Sequence, residues 1–231
     1  ASIEQLKKED SKCIALGLSL IEATEISKND LNFFISKLDS YPTLKKDLQV
    51  IASNNPFNSL INSDMDRFFR LFFDLNKEYR SNFFNKSLNE ELINKIAQSK
   101  NFERFLRYVI YDKSLVNLQK SLLTIENNPQ MNSENLFSLG INAVNNNNLN
   151  IALKFFNEAN KKSYLRTHKD KSLYWLYLLT QNQLYLEELA LSWDNNIYSL
   201  YAKELLNLQI DNIEYSIPLK NTKSSFNIYD P

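Results

Sequence analysis

Two glycines, Gly17 and Gly140, are all that 231 residues contain. Hairpin turns, phosphate-cradling loops and dinucleotide fingerprints all depend on backbone that only glycine adopts freely, so this scarcity removes them together. What remains open is a helical protein whose turns are made by Asn, Asp and Ser, which abound here. Hydrophobic residues at 43% and aromatics at 13% supply a real core, and the length fits one large domain or two small ones.

Apolar residues recur at helical spacing along nearly the whole chain. The period predicts helices over 2–23, 30–40, 43–53, 57–80, 88–99, 101–112, 114–127, 132–146, 149–161, 169–181, 184–193 and 195–208. Breaks fall at "SNNP" before Phe57, "ENNPQMNSEN" before Leu136, "NNNN" at 145–148 and "WDNN" at 193–196. Each carries side chains that can cap the unpaired amides of a helix start. Short helices joined by short turns predict an all-α superhelix of stacked antiparallel pairs over 1–208. From 209 to 231 the helical period fades, two prolines enter, and the segment reads as an extended linker toward a further domain.

Lys plus Arg equals Asp plus Glu at 27 each, which disfavours nucleic acid, whose binders carry a basic excess. No apolar run reaches the roughly 18 residues of a membrane span. No leader opens the chain, as expected of a processed protein whose export signal has been removed. One cysteine excludes an intramolecular disulfide and a cysteine-only metal site. Cys13 is expected to be buried as a small hydrophobe. The lone histidine, His168 in "RTHKDKS", cannot build a histidine metal cluster and is expected in a solvated turn. Neither a metal nor a cofactor is expected.

The pattern most specific to an architecture is "LFSLGINAVNNNNLNIALKFFNEA", 136–159. Leu136, then Leu139-Gly140, then Ala152 with Phe156 four residues on, follow the tetratricopeptide spacing, with Ala143 at the aromatic position and no terminal proline. Gly140 and Ala152 are small enough to let two helices approach, and Phe156 is placed to fill the groove between pairs. Residues 132–208 are the most repeat-like.

Further on, Tyr174-Trp175 lies on one helix, a helix ending near Leu189-Ala190 follows, and Ile197-Tyr198-Ser199-Leu200-Tyr201-Ala202 begins the last. This order resembles the end of the superhelical domain of soluble lytic murein transglycosylases, with Ile197 where the family has phenylalanine and Ser199 where it has glycine. The resemblance implies a periplasmic, non-catalytic domain of an enzyme that cuts murein glycan strands to 1,6-anhydro products. The family's catalytic glutamate is followed directly by serine, in a separate lysozyme-like domain. No Glu-Ser pair occurs here, so the chain alone is expected to be inactive. Implied partners are the glycan strands, a C-terminal catalytic domain and other cell-wall proteins. Trp193, Tyr201 and Arg166 are the candidate glycan contacts. A tetratricopeptide-like scaffold for proteins, with no enzymatic parent, is the alternative.

Catalysis from within the chain would need a buried carboxyl group of raised pKa, usually with a partner. The pairs Glu90-Glu91 and Glu187-Glu188 point about 100° apart on a helix and fit solvated faces better. The aromatic stretch "MDRFFRLFFDLNKEYRSNFF", 65–84, is expected to be core between helices, and so are Trp175, Tyr198, Ala202 and Leu205. Trp193, beside a loop, is expected at the surface.

Overall fold

The computed structural model of the chain describes residues 2–53, 57–126 and 131–210, the side chains of 57–59 excepted. Residues 54–56 of the "SNNP" break, 127–130 of the break before Leu136 and 211–231 of the 209–231 linker lie outside the described residues. Among those described there is no strand. Short helices open the chain: α1 (Ile3–Leu6), α2 (Ser11–Gly17), α3 (Leu20–Ala23), α4 (Lys28–Lys37) and α5 (Pro42–Ala52). Next come α6 (Phe57–Ser63), α7 (Met65–Asp74), and α8 (Lys77–Tyr79) running into a π-turn at Arg80–Phe84. Then follow α9 (Glu90–Ala97), α10 (Phe102–Tyr111) and α11 (Val116–Ser121) with a 3₁₀ turn at Leu122–Thr124. The longest elements are α12 (Ser133–Asn145), α13 (Leu149–Lys162) and α14 (Arg166–Thr180), closed by α15 (Gln183–Ala190) and α16 (Ile197–Leu205).

Two expected helices are broken, and caps break them. The run 2–23 is three helices. Ser2 and Ser19 each form a capping box, with Gln5 and Glu22, and Asp10 accepts from the Cys13 amide at 2.8 Å. In 57–80, Asp64 caps α7 by accepting from the Arg67 amide, and Asn76 caps α8 by accepting from that of Tyr79. A polar side chain that satisfies an orphan amide starts a new helix even where the apolar period runs on.

Successive helices pack on each other, most extensively α12 on α13, then α13 on α14, α14 on α15 and α15 on α16; α12 also touches α14, and α14 touches α16. Both glycines serve close approach. A β carbon at Gly17 would meet Leu6 Cδ2 at 2.8 Å, and one at Gly140 would meet Phe156 Cε1 at 2.5 Å. Left-handed backbone falls instead to Asn147, Gln181 and Asn207. At Asn147 and Asn207 the helix closes in a Schellman turn, Asn148 N–H donating to Ala143 C=O and Leu208 N–H to Lys203 C=O.

One contiguous core runs from Leu6 to Ala159. At its centre Phe68, Phe69, Phe72, Phe84 and Phe105 are buried with ring centroids 4.9–6.0 Å apart, so the 65–84 stretch is core. Each buried ring contributes about 1.5–3 kcal/mol. The arginines between them have structural work. Arg67 and Arg70 both reach the buried Asp47 on α5, Arg67 Nε at 2.9 Å. Arg80 lies over the rings of Tyr108 and Phe72 and donates to the carbonyls of Phe72 and Leu75.

Candidate functional site

The C-terminal helices converge on a loop, 191–196, that carries Trp193. Beneath it lies Asp170, one turn into α14 and fully buried. Ser192 Oγ donates to Asp170 Oδ2 at 2.6 Å, and Asn196 Nδ2 donates to the same oxygen at 2.8 Å. Arg166 Nε stands 2.8 Å from Asp170 Oδ1 while aiming its N–H at Ser192 Oγ, 2.9 Å away, so that this oxygen is paired by charge without an aligned hydrogen bond. Arg166 Nη2 also donates to Glu188 C=O at 3.2 Å.

A second layer fixes the far side of the loop. Thr167 Oγ1 donates to Asp194 Oδ2 at 2.7 Å, Asn196 Nδ2 adds a 3.2 Å bond, and Ser199 Oγ donates to Asp194 C=O at 2.6 Å. The Thr167 and Asn196 donors hold the Asp194 carboxyl below its ordinary pKa. Asn196 Oδ1 accepts from the amides of Tyr198 and Ser199, so the residue that closes the loop also caps α16. On this frame Trp193 stands 77% exposed.

The three candidate contacts therefore part company. Trp193 offers an open ring. Arg166 is largely buried and occupied by the loop's polar frame. Tyr201 is half-buried, edge-on to Tyr174 at 5.3 Å.

Tyr174 and Trp175, neighbours in sequence, point to different helices. Tyr174 meets Tyr198 and Tyr201 of α16, both at 5.3 Å, and Trp175 stacks on Phe156 of α13 at 5.6 Å. Both are half-buried, as is Tyr198, while Ala202 is fully buried. Leu205, expected in the core, is instead 45% exposed, because the inward face of α16 is taken by Ser199 and Ala202.

Four further large apolar residues near these turns in sequence, Tyr164, Leu165, Leu191 and Ile197, are exposed, which helical period did not predict. They sit at helix ends beside capping residues, where helical period says nothing about burial. The turn before α14 and the loop before α16 are neighbours, since Arg166 is bonded to Ser192 and Thr167 to Asp194.

Elsewhere the chemistry is modest. Glu90 and Glu91 lie exposed in the first turn of α9, and Glu187 and Glu188 are exposed on α15, with Glu188 paired to Lys169 at 3.1 Å. His168 is not in a turn. It lies in the first turn of α14, half-buried, with Nδ1 2.9 Å from Glu134 on α12. Cys13 is not buried either. Its helix turns Ile14 inward and leaves the thiol exposed, and the neighbouring Asp10 carboxylate raises the thiol pKa. Among the described residues no three His, Cys, Asp or Glu side chains gather to hold a metal ion, and no helix is long and apolar enough to cross a membrane.

Compared with known proteins, the chain matches no family model. No curated protein is a significant match to it.

Proposed function

We propose that this chain is a non-catalytic helical module of a murein lytic transglycosylase, a superhelix of stacked pairs that works in the periplasm and positions the glycan strand or a catalytic domain. The observation that carries this reading is the two-sided packing of Tyr174-Trp175. The dipeptide on which the family resemblance rests joins the helix before it, through Phe156, to the helix two further on, through Tyr198 and Tyr201. A residue pair that sets the stacking of three helices marks an architecture. Stacked pairs offer an extended surface, suited to a long polymer. At the end of that surface Trp193 is the ring free to lie against a sugar face.

Catalysis is assigned elsewhere than in this chain. Both carboxylate pairs are exposed to solvent on helix surfaces, not set in the buried pocket that a general acid uses. Incubating the full chain with purified murein and analysing the supernatant tests this directly. No 1,6-anhydro muropeptides are expected, and their release would assign a catalytic site to the chain itself.

A second reading, a tetratricopeptide-like scaffold for proteins, is favoured by one observation. Leu191 before Trp193 and Ile197 after it are exposed with it, large apolar side chains of the kind that a protein-binding surface uses.

A further inference from the structure

Leu16 of α2, Leu20 of α3, Tyr41, Pro42 and Leu44 at the start of α5, and Arg70 of α7 line one cavity of about 470 Å³. Small-molecule sites span about 300–1,000 Å³ and are mostly apolar with a few polar groups, which is the make-up of this wall. Leu20, Tyr41 and Leu44 are half-buried and pack on the core, so that part of the wall is fixed before any ligand arrives.

Two charged residues line the cavity, Asp47 and Arg70, and a ligand can reach only one of them. Asp47 is 1% exposed and covered by two guanidinium groups, that of Arg70 and that of Arg67, whose Nε lies 2.9 Å away. The Arg70 side chain is 36% exposed. Of the five N–H donors of its guanidinium, Nη1 and Nη2 each give one to Asp47, and the others have no acceptor among the described residues. Asp64 and Asp74 act on Arg70 from outside the wall, and Asp64 is itself paired with Arg67. What the cluster offers a ligand is therefore open donors on a cation at close range, not a long-range field.

Open guanidinium donors call for an acceptor, and the leucine walls call for an apolar body. A carboxylate takes such donors two at a time in charge-assisted bonds, whereas an ammonium has no acceptor to offer them. We infer that this cavity is a binding site for a small carboxylate with an aliphatic body, its head on Arg70 and its chain against Leu16, Leu20 and Leu44. The site shares no residue with the Trp193 loop and does not rest on the glycan reading.

Octanoate is the probe, titrated into the isotope-labelled full chain and followed through the amide NMR signals of Leu16, Leu20 and Leu44. A dissociation constant below about 1 mM is expected for a ligand of this size. Octanol, with the chain but not the charge, should bind about fivefold or more weakly, and octylamine no more tightly than octanol. Removing Arg70 would strip the buried Asp47 of one of its two partners, so the charge is tested at Leu16, which is 80% exposed in the last turn of α2. Leu16→Lys and Leu16→Glu remove the same apolar side chain. At low salt the Lys variant should bind octanoate about threefold more tightly than the Glu variant, with unchanged far-ultraviolet circular dichroism in both. Octanoate that shifts none of these amides up to about 5 mM overturns the inference. So does octanol that binds as tightly as octanoate, or a Glu variant that binds octanoate as tightly as the Lys variant.

Discussion

Gly140 lies so close beneath the ring of Phe156 that no side chain fits between them: a β carbon there would stand 2.5, 2.7 and 2.9 Å from three ring atoms. The ring is itself fixed, with Phe137 at 5.3 Å on one side and Trp175 stacked at 5.6 Å on the other. Gly140→Ala therefore has to displace a packed ring, which costs about 1–3 kcal/mol as overpacking. Urea unfolding should show the loss as a lower midpoint with little change in slope. Combining it with Phe156→Leu should cost less than the sum of the two single losses, because the smaller side chain makes room for the methyl group.

The frame under Trp193 gives a second expectation. Asp170 is fully buried and holds Arg166, Ser192 and Asn196 together. Asp170→Ala leaves a largely buried guanidinium without its counter-charge, a change of about 3–5 kcal/mol. The loop should loosen as well. Hydrogen exchange at the Tyr198 and Ser199 amides, both capped by Asn196, should speed up beyond what the global destabilisation explains. Exchange that tracks global stability alone would mean the loop does not depend on Asp170.

Alkali tests the packing around Tyr79. Burial pushes its hydroxyl up to about 12, whereas an unfolded tyrosine ionises near 10. The folded chain holds the proton more tightly, so the contribution is intact below pH 10 and is lost as the pH rises from 10 through 12. At about 1.4 kcal/mol per pH unit the loss is at most about 3 kcal/mol. Stability of Tyr79→Phe, measured by urea titration at several pH values, should fall less steeply over that window. Identical slopes would contradict a buried, neutral Tyr79.

Cys13 is exposed, yet its thiol should be slow to react. Asp10 raises its pKa, and the thiolate is the nucleophile. Alkylation near neutral pH should run several-fold slower than for a free cysteine, and Asp10→Asn should speed it up. A wild-type rate equal to that of the free amino acid would contradict this assignment.

Much of the fold was legible because it follows from period and scarcity. With two glycines and continuous helical spacing, an all-helical chain was the open solution, and every long helix from α9 onward lies within a few residues of its expected place. The Gly140, Ala152 and Phe156 spacing also carried through to contact, since close approach of two helices leaves few residue choices. What failed did so for local reasons. Caps at Asp10 and Ser19 cut one expected helix into three, although the apolar period ran through them. Cys13 and Leu205 belong to helices whose inner face was already filled by Ile14 and by Ser199 and Ala202.

The site was less legible. Trp193 was readable as a surface residue from its polar neighbours. Arg166 was readable only in part: Asp170 stands four residues on, the spacing of a helical ion pair, but its other partners Glu188 and Ser192 lie 22 and 26 residues away. The exposure of Tyr164, Leu165, Leu191 and Ile197 had no signal, since residues at helix ends follow no period.

Co-sedimentation with purified murein sacculi tests the central claim most directly, comparing the full chain with Trp193→Ala. The wild-type chain should pellet with the murein, and the variant should bind about tenfold more weakly, as expected for roughly 1.4 kcal/mol of lost ring contact. A wild-type chain that stays in the supernatant at every murein concentration would contradict the glycan-positioning role.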